Sequence, residues 1–239
     1  MMSSNPSITR AGMSQPMAGM PSVGSMAADM AARKDRLARL KARVPKPHEA
    51  SFFFYDAHFQ SEAVKILPGE YFVFNEDVLI MTTLGSCIAV CLWDRQAKIG
   101  GMNHFMLPDN GGGASDSGRY GSFAMELLIN EMLKMGASRL TLEAKVFGGG
   151  AVISGMSSIN VGERNTQFVM DYLKTERIPV VSKDVLEIYP RKVCFFPKSG
   201  KAMVKRLAPS NPDAIVAQER AAAQKAAVPA TTGGSIDLF

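Results

Sequence analysis

TTLGSCIAVCLWDRQAKIGGMNHFMLPD, residues 82–109, holds a cysteine in a small-residue turn, a histidine seventeen positions later, and two runs of strand-forming residues between them. Ser86 to Trp93 reads as one strand, Arg95 to Lys98 as a turn, and Ile99 to Leu107 as the antiparallel partner. With the turn centred between Gln96 and Ala97, Ala89 falls opposite His104, and Cys87 becomes its diagonal neighbour on the same face at roughly 7–8 Å between backbone positions. A slip of one residue would send the two side chains to opposite faces. The pairing therefore rests on this register or on a bulge at Gly100-Gly101.

The chemistry this pair supports is nucleophilic catalysis. A thiol is a weak nucleophile at neutral pH until an adjacent imidazole takes its proton, and the imidazolium can then protonate a departing amine or ammonia. Gly85 and Ser86 permit tight curvature before Cys87, whose backbone amide could serve as one oxyanion donor. A third group should hold the histidine in its useful tautomer, and Thr82 or Thr83 is the nearest hydroxyl by sequence. Spacing alone proves little: a cysteine in a strand is more often a small hydrophobe, the reading given to Cys91 and Cys194. Cys87 and Cys91 lack the CxxC spacing of redox sites and a second ligand pair for zinc, so no metal site is expected.

Working outward, Phe52 to Tyr55 form a first strand or a clasp. Val64 to Leu67 and Tyr71 to Phe74 are extended segments around Pro68-Gly69, and Val78 to Met81 leads into the opening stretch. Downstream, Asn110 to Ser117 is a Gly/Ser/Asp loop. A helix from Tyr120 to Met135 ends at Gly136, and a strand from Leu140 to Phe147 puts Leu140, Leu142, Ala144 and Val146 on one face. Gly148-Gly149-Gly150 lacks the Lys-Ser/Thr of a Walker loop and any GxGxxG, so it reads as a loop whose backbone must pass close to something. A second helix takes Asn160 as N-cap with Glu163 completing a capping box, and Pro179 closes it. Strands return at Val180-Val181, Val185 to Ile188, Lys192 to Phe196 and Ala202 to Leu207. The last hairpin carries Arg191, Lys192, Lys198, Lys201, Lys205 and Arg206, either as a solvated edge that resists strand aggregation or as a contact face for an acidic helical partner.

The ends differ from this core. Residues 1–50 hold eight Lys or Arg against three acidic residues, so the whole net charge of +5 sits there and the remainder of the 239 residues balances. Nucleic-acid binding by the globular part is therefore not expected. Residues 1–50 read as a disordered basic tail, partly helical near 26–44 through Met30, Leu37 and Val44; that helix is either solvated or a docking element for an acidic partner or membrane surface. Residues 51–208 read as the domain. Residues 209–239 read as a flexible tail ending in Ser235-Ile236-Asp237-Leu238-Phe239, a docking peptide or an inert terminus. Three sparse cysteines and a polar start indicate a reducing interior, hence a cytoplasmic protein. The uncharged run Val78 to Trp93 is shorter than the roughly 18–20 apolar residues of a membrane span.

LPGEYFV, TTLGSCIAVCLWD, KIGGMNHFMLPD and LEAKVFGGG, in that order, resemble CheD, the bacterial chemoreceptor glutamine deamidase family, over about Val64 to Leu207. The resemblance implies a cysteine hydrolase of bacterial chemotaxis, a protein-glutamine glutaminase that turns selected glutamines of methyl-accepting chemoreceptors into glutamate. It implies an α+β fold of packed mixed and antiparallel β-sheets flanked by helices, like the catalytic domain of cytotoxic necrotizing factors. Carried over, Cys87 matches the nucleophile and His104 the general base and acid. The family threonine falls on Thr82, although alternation from Cys87 favours Thr83. Receptors and a CheC-type phosphatase are the implied partners, and no cofactor is required. A non-catalytic adaptor that binds receptor or phosphatase on the same fold is the alternative.

Overall fold

The computed structural model describes residues 35–107, 114–152 and 158–208, together with the single positions 217 and 221. The first element is a helix over residues 35–42, α1. Six strands follow: β1 (Phe52–Asp56), β2 (Ser61–Lys65), β3 (Tyr71–Phe74), β4 (Leu79–Leu84), β5 (Ile88–Asp94) and β6 (Ile99–Phe105). Helix α2 (Ala114–Lys134), β7 (Leu142–Gly148), α3 (Ser158–Thr175), β8 (Val180–Val185), β9 (Arg191–Phe196) and β10 (Lys201–Arg206) complete the order. The expectations for residues 1–34, for the start of the Asn110 loop and for the Ser235–Phe239 terminus lie outside the described residues.

Two five-stranded mixed sheets result. The first runs β1-β2-β4-β9-β10 and the second β3-β6-β5-β7-β8, with β2 and β4 parallel in one and β7 and β8 parallel in the other. Side chains alternate along each strand, so each sheet offers one row inward to its partner sheet and one row outward. In β5, Ile88, Val90 and Leu92 face a core shared with Met125, Leu128 and Ile129 of α2 and Val169 and Leu173 of α3. Ala89 and Cys91 face the other way, into a core between the sheets with Ile80, Leu84, Met102, Val193 and Phe195. The fold is thus α+β with helices on the outer face of the second sheet. Cys91 and Cys194 are buried among apolar neighbours, as expected for small hydrophobes.

Several sequence expectations are corrected. The N-terminal segment is not all tail: residues 35–50 pack on the domain, with Leu40 and Ala50 buried. The buried residue of α1 is Leu40, outside the stripe of Met30, Leu37 and Val44, while Val44 is 90% exposed, in line with the solvated reading of that stripe. The bases of this segment meet carboxylates, Arg36 with Glu62, Arg43 with Glu49 and Lys46 with Glu131. Helix α2 begins at Ala114, so residues 114–117 of the expected loop are helical, and α3 begins at Ser158, which puts Asn160 inside it rather than at its cap. Leu140 leaves the strand for a 3-10 turn over Arg139–Thr141 and is exposed. Strand β8 is continuous to Val185 and is ended by left-handed φ angles of 64° at Leu186 and 62° at Glu187. Arg191 is not on the basic hairpin face: alternation with Val193 and Phe195 turns it inward, fully buried, where it binds Asp184 and the carbonyls of Tyr189 and Leu186.

Candidate active site

The β5–β6 hairpin carries the site. Its register places Ala89 opposite His104 and Ile88 opposite Phe105, without irregularity at Gly100 or Gly101. The expected register therefore holds and no bulge is needed. Those glycines have a different purpose. A Cβ on Gly100 would lie 2.7 Å from the Pro197 backbone at the end of β9, and one on Gly101 would lie 2.7 Å from the Val73 side chain, so both clear room for neighbouring elements. Cys87 sits one residue before β5 and shares the inter-sheet core with Ala89 and Cys91, the face that His104 also takes opposite Ala89.

Thr82 and His104 meet across the two sheets. Thr82 lies on the inward row of β4, and its Oγ1 is 2.8 Å from His104 Nδ1 and 2.8 Å from the Ile66 carbonyl. A hydroxyl has one proton and a carbonyl can only accept, so the Thr82 proton goes to Ile66 and Oγ1 accepts from Nδ1–H. That assignment leaves His104 Nε2 as the nitrogen with the lone pair. Nε2 is buried and has no hydrogen-bond partner among the described residues. Burial pushes the imidazole down to about 3, with the Ile66 carbonyl opposing weakly. His104 is therefore neutral near pH 7, with Nε2 unprotonated, and the same burial disfavours the imidazolium. Thr83, the alternative by alternation, faces the other side of β4, is half-buried, and has no bond to His104.

The backbone of His104 is also fixed. Gly69 N–H donates to its carbonyl at 2.7 Å, and its own N–H donates to the Glu70 carbonyl at 2.9 Å, so the Pro68-Gly69 turn extends the ladder beside β6. Tyr120 of α2 comes close to this turn, 3.5 Å from where a Gly69 Cβ would be. Burial raises the Tyr120 phenol, and Cys87 adds to the effect.

The turn that carries Cys87 is held by the triple glycine. Gly149 N–H donates to the Cys87 carbonyl and Gly150 N–H to the Gly85 carbonyl, each at 2.8 Å. Gly148 has φ 112°, and a Cβ there would stand 2.1 Å from the Cys87 carbonyl oxygen. The close approach expected of this loop is to the cysteine turn itself. Asn165 in α3 was not singled out by the sequence; its amide bonds the Ser86 carbonyl and the Leu107 N–H. The one signal for it was a polar residue four before Val169 on the apolar stripe of α3. Among the described residues no group of His, Cys, Asp or Glu could hold a metal ion, and no helix is long and apolar enough to cross a membrane.

The family model described as CheD chemotactic sensory transduction matches residues 106–206, a span that begins just after His104. The relatives reach further. A protein of Albidiferax ferrireducens named "Probable chemoreceptor glutamine deamidase CheD 1" is 62% identical over 204 residues, 85% of this chain and 87% of that one. A Janthinobacterium protein named "Probable chemoreceptor glutamine deamidase CheD" is 50% identical over 202 residues, 83% of this chain and 99% of that one. Among solved structures, a Neisseria meningitidis protein described as family-model DUF152 aligns with a TM-score of 0.31 at 14% identity, covering 47% of this chain and 51% of that one. A likeness of that size carries no argument.

Proposed function

Because the chain belongs to the CheD family, we propose that it is a chemoreceptor glutamine deamidase, which hydrolyses selected glutamine side chains of methyl-accepting receptors to glutamate and ammonia. The observation that carries the mechanism is the chain of bonds from His104 through Thr82 to Ile66, which leaves Nε2 as the base on the face that bears Cys87.

In this reading Cys87 is the nucleophile, His104 the general base and acid, and Thr82 the residue that orients His104. His104 takes the thiol proton, and Sγ adds to the glutamine carboxamide carbon to give a tetrahedral oxyanion. The carbon–nitrogen bond breaks and the nitrogen leaves as ammonia with the proton from His104. Water, deprotonated by the same imidazole, then cleaves the thioester to glutamate and restores the thiol. Every step runs on side chains, so no cofactor enters. A cytoplasmic location follows from the substrate, the cytoplasmic helical region of a receptor. A CheC-type phosphatase as a second partner, and kinship of the fold with the catalytic domain of cytotoxic necrotizing factors, belong to the same proposal.

The test is incubation with the cytoplasmic helical region of a chemoreceptor, followed by peptide mass spectrometry for glutamine converted to glutamate. Wild type converts specific glutamines, while Cys87→Ala and His104→Ala do not. Wild-type protein that binds receptor and leaves every glutamine intact would identify an adaptor instead of an enzyme.

A further inference from the structure

Asn165 stands in α3 with none of its surface exposed. Its Nδ2 donates to the Ser86 carbonyl at 2.9 Å and its Oδ1 accepts from the Leu107 N–H at 3.0 Å. The partners fix which way the amide points, since a carbonyl can only accept and a backbone N–H only donate. One buried side chain therefore joins the peptide just before Cys87 to the backbone three residues beyond His104.

The Ser86–Cys87 peptide is planar and trans, so its C=O and N–H point in opposite directions. Holding the Ser86 oxygen toward α3 turns the Cys87 N–H away from α3. The flanking planes cannot absorb a rotation, because the Gly85 and Cys87 carbonyls are themselves held by Gly150 and Gly149. Of these three ties only the one from Asn165 is made by a side chain. A substitution at Asn165 therefore removes it without altering the backbone of the turn.

We propose that Asn165 is a positioning residue for deamidation, orienting the Ser86–Cys87 peptide so that the Cys87 amide donates to the oxyanion of the tetrahedral intermediate. The inference rests on the deamidase reading above. As the bond from Sγ to the carboxamide carbon forms, the carbonyl π pair moves onto oxygen, and a donor aimed at that oxygen stabilises it before ammonia leaves. Asn165 touches none of the reacting atoms; it acts through the peptide it holds. Its second bond, to Leu107, keeps the chain leaving β6 in step with the cysteine turn.

Two variants test this. Asn165→Asp keeps the acceptor for Leu107 and removes the donor to Ser86, and Asn165→Ser shortens the side chain with little added charge or bulk. Each is compared with wild type by kcat and KM on the receptor fragment, and by the rate at which iodoacetamide alkylates Cys87, located by peptide mass spectrometry. Alkylation uses the thiol and its base but forms no oxyanion, so it separates the two roles. The expected result is a kcat lowered about 10- to 100-fold, less than outright loss of an oxyanion donor, with KM within about twofold and alkylation unchanged. Turnover within about twofold of wild type in both variants overturns the proposal. So does alkylation that falls in step with turnover, or failure of both variants to fold, since either assigns Asn165 to the scaffold alone. Wild-type protein inactive on every receptor glutamine is the separate failure of the deamidase reading, recognised before any variant is compared.

Discussion

At the scale of single residues, the site turns on one hydroxyl choosing its acceptor. Thr82→Val removes the group that holds His104 Nδ1–H while keeping the shape, and turnover should fall about 10- to 100-fold, less than the roughly 100- to 10,000-fold a positioned acid–base group itself contributes. Thr83→Val on the opposite face of β4 should leave turnover unchanged, and steady-state kinetics on a receptor fragment compares the two. Equal losses would mean that the threonines act through the strand rather than through His104. Burial of His104 also has a consequence for stability. The folded imidazole titrates at about 3 and the unfolded one near its ordinary 6.5, so between these values the unfolded chain binds the extra proton. Stability is complete above about pH 6.5 and falls as the pH drops through that window, by an amount on the order of a few kcal/mol. Asp94 and Asp184, both held below the ordinary carboxylate range, add acid sensitivity only further down, below their ordinary value of 3.8. Urea unfolding at pH 7 and pH 5 should show the loss in wild type and much less of it in His104→Gln. An equal loss in both would place the sensitivity elsewhere.

At the scale of elements, the glycines divide into those that a neighbour requires and those that only the backbone angle requires. Gly148 has both reasons, φ 112° and a Cβ position 2.1 Å from the Cys87 carbonyl, whereas Gly136 has φ 102° and open space around it. Gly148→Ala should lower stability by about 1–3 kcal/mol from strain alone and more from the clash, and should remove activity because the cysteine turn must shift. Gly136→Ala should cost about 1 kcal/mol and leave activity intact. Thermal unfolding and glutamine conversion on both proteins check the pair; an active Gly148→Ala would mean that the clasp does not set the turn. These elements also mark what was legible in the sequence. The β5–β6 hairpin and its register could be read because a single turn fixes all seven pairs and period-two alternation carries the faces. The triple glycine could be read as a close approach, but its partner could not, since nothing local says which backbone will lie against it. Asn165 was missed because its place on the apolar stripe names no partner, and Ser86 lies 79 residues away; Arg191 was put on the basic hairpin face because its charge was read ahead of its alternation with Val193 and Phe195. Leu140 failed in the opposite sense, an apolar residue that local periodicity assigns to a strand face and that the fold leaves in solvent.

At the scale of the whole molecule, Thr82 and His104 come from different sheets, so the site exists only while the sheets keep their spacing. Residues 35–50 strap the two together. Arg36 binds Glu62 of β2 in the first sheet, while Ala50 N–H and the His48 carbonyl bond Tyr71 of β3 in the second, and Lys46 binds Glu131 of α2. Over these residues the expected basic tail sends two of its bases, Arg36 and Lys46, to carboxylates on the domain, while Arg39 and Arg43 pair within the segment. Glu62 is the critical partner, because its side chain is 2% exposed whereas that of Arg36 is 25% exposed. Removing the arginine leaves a carboxylate buried without its counter-charge. Arg36→Met should therefore lower stability by about 2–3 kcal/mol, below the 3–5 kcal/mol of a fully buried pair because water reaches the guanidinium. Replacing Glu62 as well, in Arg36→Met/Glu62→Leu, should recover most of that loss, since the penalty lies in the stranded charge and not in the lost attraction. A urea-unfolding cycle over wild type, the two single variants and the double variant measures the coupling directly. Strictly additive losses would show that the strap is held by Leu40 and the backbone bonds to Tyr71, with the ion pair incidental to how the two halves of the site are kept together.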